Sequence, residues 1–236
     1  MYNSILVIFM MNKTIKIALD GPSGSGKSTL AKLLSKKYGF VYIDTGALYR
    51  TIGLFVAEHS LESTDRDGIV KLLPELKLDI KLENGGGQTY LGLRAVGDEI
   101  RTPLISKYAS DVSKIPEVRE FLLDTQRVIA ENHDVIMDGR DIGTVILPNA
   151  QVKLFVIASP EARARRRFIE LTEEKGINTT YEEVLADMKW RDANDAERDV
   201  APCVPAEDAI LFDNSDYTID EMVEKAAEII DGIIGK

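Results

Sequence analysis

Short apolar runs recur along the chain, with longer helical patterns of apolar and polar residues between them. Five runs are rich in Val, Ile, Leu and Phe and do not alternate cleanly; they lie at residues 15–19, 41–43, 135–137, 152–157 and 209–212. Strands that are covered on both faces show this lack of alternation. Strands separated by helices, the first helix at residues 29–38, predict an α/β fold with a central parallel five-stranded sheet.

Residues 75–97 follow a different pattern. The segments 76–82 and 89–96 alternate better and flank the glycine-rich residues 83–88, which is a hairpin signal. We therefore expect a small antiparallel piece inserted into the α/β chain. Two long helical patterns, at residues 160–175 and 181–198, follow the fourth run and are separated by a segment that begins with Gly176.

Composition narrows the class of protein. The 236 residues, 44% of them hydrophobic, with a net charge of −10, indicate one globular domain. The acidic balance argues against general binding to nucleic acid or to a membrane surface, where a basic face supplies the affinity. A single cysteine, Cys203, excludes an internal disulfide and favours a reducing compartment, the cytoplasm. The apolar residues 5–10 are too few to span a bilayer, and we expect residues 1–12 to be a disordered extension without a targeting role.

A glycine-rich loop follows the first predicted strand. The segment from Gly21 to Ser28 fits the pattern G-x-x-x-x-G-K-[ST], with a strand before it and a helix after it. Glycines let consecutive N–H groups curl around phosphate oxygens at the positive end of the helix. Lys27 would reach the β- and γ-phosphates of a nucleoside triphosphate, and the Ser28 hydroxyl would bind Mg²⁺. The predicted triphosphate-binding residues are Gly21, Pro22, Ser23, Gly24, Ser25, Gly26, Lys27, Ser28 and Thr29.

Two later strand ends carry residues that suit a second anionic ligand. Thr45 and Arg50 follow the second strand, and Asp138, Arg140 and Asp141 follow the third. Functional residues of open α/β sheets gather beyond the carboxyl ends of the strands. Asp138 resembles the acidic residue that organises Mg²⁺ and its waters in P-loop enzymes. The alternative for Thr45 and Arg50 is a capped helix with a surface arginine, and the alternative for residues 138–141 is an ordinary charged loop without a ligand.

Two helical segments add clustered arginines. Positions 184, 188, 191, 195 and 198 share one helical stripe, which begins apolar and ends with Arg191, Asp195 and Arg198. The preceding helix carries a basic cluster at its start, Arg163, Arg166 and Arg167. Buried arginines need anionic partners, and a transferring phosphoryl group would be such a partner. Neighbouring protein carboxylates are the alternative partner for both clusters.

Several segments together resemble the bacterial cytidylate kinase family. They are IALDGPSGSGKST, IDTGALYR, GDEIRTPLISKYASDVSKIPEVR, MDGRDIGTVILPNA, RARRR and WRDANDAERDVAPCVPAEDAI, in matching order. The resemblance covers essentially all of residues 13–235 and is to nucleoside monophosphate kinases with a long monophosphate-binding insert. It implies a kinase domain at residues 13–236, an inserted monophosphate-binding subdomain at about residues 48–118 and a helical lid at about residues 163–198.

The resemblance implies phosphoryl transfer from ATP, with Mg²⁺, to CMP or dCMP in a monomeric enzyme of pyrimidine nucleotide metabolism. The expected catalytic residues are Lys27, Asp138, Arg140, Arg163 and Arg198. The positions that match the family's monophosphate site are Thr45, Arg50, Ser110, Arg119, Arg140, Asp141, Arg191, Asp195 and Arg198.

By the same analogy, different residues contact different parts of the acceptor. The phosphate is held by Arg50, Arg140 and Arg191, and the sugar is oriented by Asp195 together with Arg191. The cytosine is faced by Ser110, Arg119 and Asp141. A carboxylate suits the N4 amino group of cytosine, whereas Arg or Ser suits its N3 and O2 acceptors. We therefore expect CMP to be preferred over UMP.

Two other functions are compatible with the glycine-rich loop alone. One is another P-loop small-molecule kinase, similar to shikimate kinase or dephospho-coenzyme A kinase; the long insert and the cytosine-facing residues argue against it. The other is a nucleotide-binding regulatory module without phosphoryl transfer, which would not need arginines converging from four separate segments.

Overall fold

The computed structural model describes residues 14–235 apart from Asn84 and Lys175, so the expectation about residues 1–12 lies outside the described residues. The strands in this part of the chain are β1 (Lys16–Asp20), β2 (Val41–Asp44), β3 (Leu78–Glu83), β4 (Gly86–Leu91), β5 (Arg94–Ala95), β6 (Val135–Gly139), β7 (Val152–Ile157) and β8 (Ile210–Asp213). The α-helices are α1 (Lys27–Tyr38), α2 (Thr45–Glu58), α3 (Arg66–Leu72), α4 (Pro103–Val112), α5 (Pro116–Asn132), α6 (Pro160–Ile169), α7 (Tyr181–Glu197) and α8 (Ile219–Ile234).

The strands form one sheet in the order β3-β4-β2-β6-β1-β7-β8, with β5 paired to β4. β2, β6, β1, β7 and β8 are mutually parallel and correspond to the five predicted strands. The α/β fold with a central parallel sheet is therefore confirmed. Since β1 lies between β6 and β7, its carboxyl end is in the middle of the sheet edge where functional residues gather.

The hairpin of β3 and β4 is present, but it extends the main sheet, because β4 runs parallel to β2 at Tyr42 and Gly86. Its second strand also begins at Gly86, whereas the sequence pattern placed it at residues 89–96. A Cβ at Gly87 would lie 2.7 Å from Ile43 Cδ1 and 2.9 Å from Ile80 Cγ2. The glycine run is thus strand, and at Gly87 a glycine is needed because neighbouring side chains leave no room.

Two of the apolar layers in the described residues pack helices against the sheet and against each other. One layer joins β1, β6 and β7 to α1 and α8 through buried side chains such as Leu30, Leu34 and Ile230. The other joins α2 to α5 through buried side chains such as Ile52 and Leu122. Among the described residues, no helix combines the length and the apolar character that crossing a membrane requires.

The predicted lid segment forms a helical pair. α6 ends at Ile169 and continues as a π-helical turn at Glu170–Glu174, and α7 begins after a capping box between Thr180 and Glu183. Ala164 of α6 packs against Val184 and Met188 of α7. The apolar start of the α7 stripe is therefore used to hold the two helices together.

Candidate active site

The glycine-rich loop connects the carboxyl end of β1 to α1. Gly21, Gly24 and Gly26 have φ angles of 144°, 73° and 86°, which side chains with a Cβ rarely adopt. A Cβ at Gly21 would also lie 2.1 Å from the main-chain oxygen of Val156. Gly26 is the N-cap of α1, so the loop presents the positive end of that helix. This is the backbone geometry that phosphate binding requires.

Lys27 is buried at the first position of α1, and its Nζ donates to Pro22 O at 2.9 Å. Burial, together with the neighbouring Arg140, lowers the pKa of Lys27 to about 8, while Asp138 opposes the shift. The lysine of the glycine-rich loop and an arginine of the second anion site therefore share one electrostatic environment.

Asp138 is hydrogen-bonded both to the glycine-rich loop and to the residues that follow β2. Its Oδ2 accepts a hydrogen bond from Ser28 Oγ, and its Oδ1 accepts one from the Tyr42 hydroxyl at 3.0 Å. Its main-chain oxygen accepts one from Thr45 Oγ1 at 2.7 Å. Burial raises the pKa of the Asp138 carboxyl, as does nearby Asp44, whereas Lys27 lowers it.

A second buried cluster surrounds Asp141. Arg119 donates to Asp141 Oδ2, and Arg198 Nη2 lies 4.0 Å from Asp141 Oδ1. Burial raises the pKa of the Asp141 carboxyl, and the two arginines lower it. Arg119 Nη1 also donates to Ser113 O at 3.3 Å, and its guanidinium lies 5.7 Å from the ring centroid of Tyr49. These residues come from α5, β6, the end of α7 and α2.

Arg140 joins the lid segment to the end of β6. Its Nε donates to Asp195 Oδ2 at 2.8 Å, a bond that spans from the strand end to α7. Burial acts to lower the pKa of Arg140, but Asp195, by its charge and its hydrogen bond, and Asp138 oppose it, and the pKa is raised overall. Arg140 is therefore a half-buried guanidinium that stays charged between two elements.

Other predicted acceptor residues have local partners. Arg50 Nη2 pairs with Asp44 Oδ2 at 2.9 Å, and Arg191 Nε pairs with Asp187 Oδ2 at 3.0 Å, one turn earlier on α7. Ser110 is half-buried on α4, where its main-chain oxygen accepts from the Ser113 hydroxyl. The direct contacts of these three residues are thus with neighbouring residues of the chain.

The basic cluster of α6 divides among separate partners. Arg163 is almost fully buried, donates to Ser23 O at 2.9 Å and forms two bonds to Asp192 of α7 at 3.0 and 2.5 Å. Arg166 donates to the side chain and main chain of Asn214, and Arg167 pairs with Glu170 at 2.6 Å. The alternative of protein carboxylates as partners accounts for Arg163 and Arg167, and Arg163 also ties the lid to the glycine-rich loop.

Sequence reasoning assigned no role to three residues of the site. Tyr42 bonds Asp138, Tyr49 lies against Arg119, and the carboxylate of Asp20 accepts the main-chain N–H groups of Ile142 and Gly143 at 2.7 Å each. Their partners lie 70 to 123 positions away in the chain. For Asp20, the only feature of the sequence that could have indicated a role is its position directly before the glycine-rich loop.

The residues present fit a triphosphate and Mg²⁺. Within the described part of the chain, Ser25 Oγ and Arg198 Nη2 are buried atoms without a hydrogen-bond partner, and each belongs to one of the two anion sites. The oxygen donors at the loop are the Ser28 hydroxyl and the Asp138 carboxylate, the ligand type that Mg²⁺ prefers.

Comparison with known proteins agrees with this arrangement. A sequence model of the family described as cytidylate kinase matches residues 17–232. The cytidylate kinase of Caldanaerobacter subterraneus subsp. tengcongensis is 51% identical over 221 residues, which cover 94% of this chain and 96% of that protein. The cytidylate kinase of Caldicellulosiruptor saccharolyticus is 48% identical over 223 residues, which cover 94% and 98%.

Among solved structures, shikimate kinase from Bacteroides thetaiotaomicron aligns over 92% of this chain and 98% of that chain, with 15% identity and a TM-score of 0.46. The sequence relatives are much more similar, and they match nearly the whole chain. The family model also spans every element of the candidate site, from β1 to the segment after α7. The chain therefore belongs to the cytidylate kinase family.

Proposed function

We propose that the protein transfers the γ-phosphoryl group of ATP to CMP or dCMP and forms ADP with CDP or dCDP. The observation that carries the proposal is the convergence on Asp138: Ser28 of the triphosphate loop and Thr45 of the acceptor helix both bond this residue. Arg140 and Asp141 follow it directly. Donor and acceptor groups thus meet at one strand end, as phosphoryl transfer requires.

On the donor side, the loop N–H groups and Lys27 bind the β- and γ-phosphates of ATP. Mg²⁺, when bound, neutralises charge that develops on the phosphate oxygens. Ser28 would hold the ion, and Asp138 would orient the Ser28 hydroxyl and the metal's waters, because it already accepts a hydrogen bond from that hydroxyl. Asp138 itself is held in place by Tyr42.

On the acceptor side, Arg50, Arg140 and Arg191 hold the phosphate, and Asp195 with Arg191 orients the sugar. The phosphate exchanges with carboxylates that bind these guanidiniums in the described structure, among them Asp44 and Asp195. Such an exchange keeps each buried or half-buried guanidinium paired. Once the phosphate is bound, positive charge surrounds the transferring group without a dominant general base.

The cytosine lies against Asp141, Arg119 and Ser110. The Asp141 carboxylate accepts the N4 amino hydrogen, and Arg119 and Ser110 donate to N3 or O2. Arg198, with its unpartnered Nη2 4.0 Å from Asp141, serves the acceptor and the transferring group. Uracil would present an oxygen to Asp141 and bind more weakly.

The helical pair of α6 and α7 acts as a lid that excludes water from the reaction. Arg163 supports this role, since it contacts the triphosphate loop at Ser23 and α7 at Asp192. A guanidinium in this position also stabilises the transferring phosphoryl group. We further propose a monomeric enzyme of the cytoplasm that binds nucleotides rather than nucleic acid.

Incubation of the protein with Mg·ATP and each nucleoside monophosphate in turn tests the proposal. We expect ADP formation that depends on CMP or dCMP, with UMP a much poorer acceptor and AMP and GMP inactive. ADP formation that does not depend on any of the added monophosphates would contradict CMP and dCMP as the acceptors. No ADP formation at all would favour a nucleotide-binding module without transfer.

A further inference from the structure

Asp20 is a buried carboxylate that lies between the two substrate sites. It is the last residue of β1, directly before the glycine-rich loop, and is 5% exposed. Its Oδ1 accepts a hydrogen bond from Ile142 N at 2.7 Å, and its Oδ2 accepts one from Gly143 N at 2.7 Å. Two charge-assisted bonds of this length make a strong link between distant parts of the chain.

The turn that Asp20 holds begins directly after Arg140 and Asp141. It is a π-helical turn at Ile142–Ile146, and Asp141 O accepts the N–H of Val145 at 2.9 Å. A Cβ at Gly143 would lie 3.3 Å from Asp20 Oδ2 and 3.1 Å from Lys153 Cδ, so the turn approaches both side chains closely. The backbone that carries two acceptor-site side chains is therefore anchored to the start of the triphosphate loop through one carboxylate.

We propose that Asp20 is a positioning residue for the acceptor: it holds the turn after β6 so that Arg140 and Asp141 meet the phosphate and the base of the nucleotide. This inference rests on the acceptor role proposed above for those two residues. Loss of the Asp20 carboxylate should therefore weaken the binding of CMP and leave the affinity for ATP nearly unchanged. The reason is that this carboxylate accepts its hydrogen bonds from the turn after β6.

The charge of Asp20 makes the link sensitive to pH. Burial raises its pKa to about 6, the N–H groups of the turn oppose this, Asp141 raises it and Lys27 lowers it. The Cys203 thiol lies nearby, and the Lys153 side chain passes the turn while its Nζ pairs with Asp208. Asp20 is therefore ionised and a full acceptor above about pH 6, and protonated below it.

The variant Asp20→Asn tests the proposal. Its amide keeps one acceptor oxygen but places an NH₂ group opposite the second N–H of the turn. We expect the Kd for CMP, measured by titration calorimetry at about pH 7.5, to rise about tenfold, as for the loss of a hydrogen bond to a charged group. The Kd for ATP should change by less than about twofold, since the triphosphate loop keeps its own contacts.

Asp134→Asn is the matched control. Asp134 Oδ1 also accepts a main-chain N–H at 2.7 Å, that of Ile15, but at the opposite end of β1. It should leave both Kd values unchanged. An Asp20→Asn protein with wild-type affinity for CMP, or with equal losses for CMP and ATP, overturns the inference. A wild-type protein that binds no CMP overturns the proposed function and this inference with it.

The pH profile separates positioning from a general loss of stability. The CMP phosphate titrates near pH 6, but equally for both proteins, so the ratio of the variant Kd to the wild-type Kd reports Asp20. This ratio should fall from about ten toward about one as the pH is lowered from about 7.5 to about 5. A ratio that does not vary with pH contradicts the proposal.

If Asp20→Asn does not fold, carboxyl ¹³C NMR titration of the wild type decides the question. CMP binding should lower the pKa of the Asp20 carboxyl, because the bound state needs the turn held by the ionised form. An Asp20 pKa that is the same with and without CMP overturns the inference.

Discussion

Burial favours the neutral form of Lys27, whereas the proposed binding of ATP favours its charged form. Its pKa is lowered to about 8, so the free protein carries the charged lysine below about pH 8 and loses it above. ATP favours the charged form, so its binding is accompanied by proton uptake near and above that pH. The ATP affinity should therefore fall several-fold as the pH rises from about 7 to about 9.

Titration calorimetry of ATP across this range checks the prediction. Lys27→Met should bind ATP more weakly at every pH and show no such fall, because the titrating group is gone. If the variant and the wild type lost affinity in parallel, the pH dependence would come from another group.

In the proposed function, the preference for cytosine depends on Asp141. Asp141→Ala should reduce the ratio of kcat/KM for CMP over that for UMP, because the N4 amino group loses its acceptor and uracil no longer meets a carboxylate. Each good pairing of this kind gives about 1–3 kcal/mol of discrimination, so the ratio should fall by about fivefold to 160-fold.

Asp192→Ala is the control for base recognition. It removes the partner of Arg163 on α7, away from the Asp141 cluster, and should lower activity with both acceptors alike. An unchanged CMP/UMP ratio in Asp141→Ala would show that the base is recognised elsewhere.

The sequence predicted the residue types at the site better than their contacts. The triphosphate loop and Asp138, the acidic residue near the end of β6, follow local patterns, and both lie at the predicted strand ends. The roles of Asp20 and Tyr42 depend on partners 122 and 96 positions away, so no local pattern could indicate them. The α6 arginines lie near the start of one helix, as expected, yet their partners come from four different elements, which only the packing of the chain decides.

At the scale of elements, strand positions were predicted within a few residues because buried strands have a strong apolar signal. The hairpin was predicted, but its second strand begins earlier, at Gly86. A glycine run usually indicates a turn, and the sequence does not reveal that Ile43 and Ile80 fill the space beside Gly87. Its pairing with β2 is a long-range contact that follows from the folded sheet.

The lid element provides a prediction about Gly176. This residue lies between α6 and α7 and has a φ of 62°, whereas proline requires a φ near −65°. Gly176→Pro should therefore change the angle at which the helical pair meets the loop and lower kcat with CMP, with a smaller effect on the Kd for ATP. Stopped-flow or steady-state assays of ADP formation measure this change.

Gly235→Pro is the matched control, since Gly235 has a φ of 74° and ends α8. It should leave kcat unchanged. A Gly176→Pro protein with wild-type turnover would remove this glycine from the mechanism of lid closure.

At the scale of the whole molecule, the packing of α5 against α2 depends on the apolar layer between them. Leu122 of α5 is fully buried in that layer with Ile52, whereas Leu93 is 99% exposed at the hairpin. Leu122→Ala should lower the free energy of unfolding by about 2–5 kcal/mol, because it removes buried carbons and leaves a cavity. Leu93→Ala should change it by less than about 0.5 kcal/mol. Urea unfolding followed by circular dichroism measures both values, and equal losses in the two variants would contradict this packing of α5 against α2.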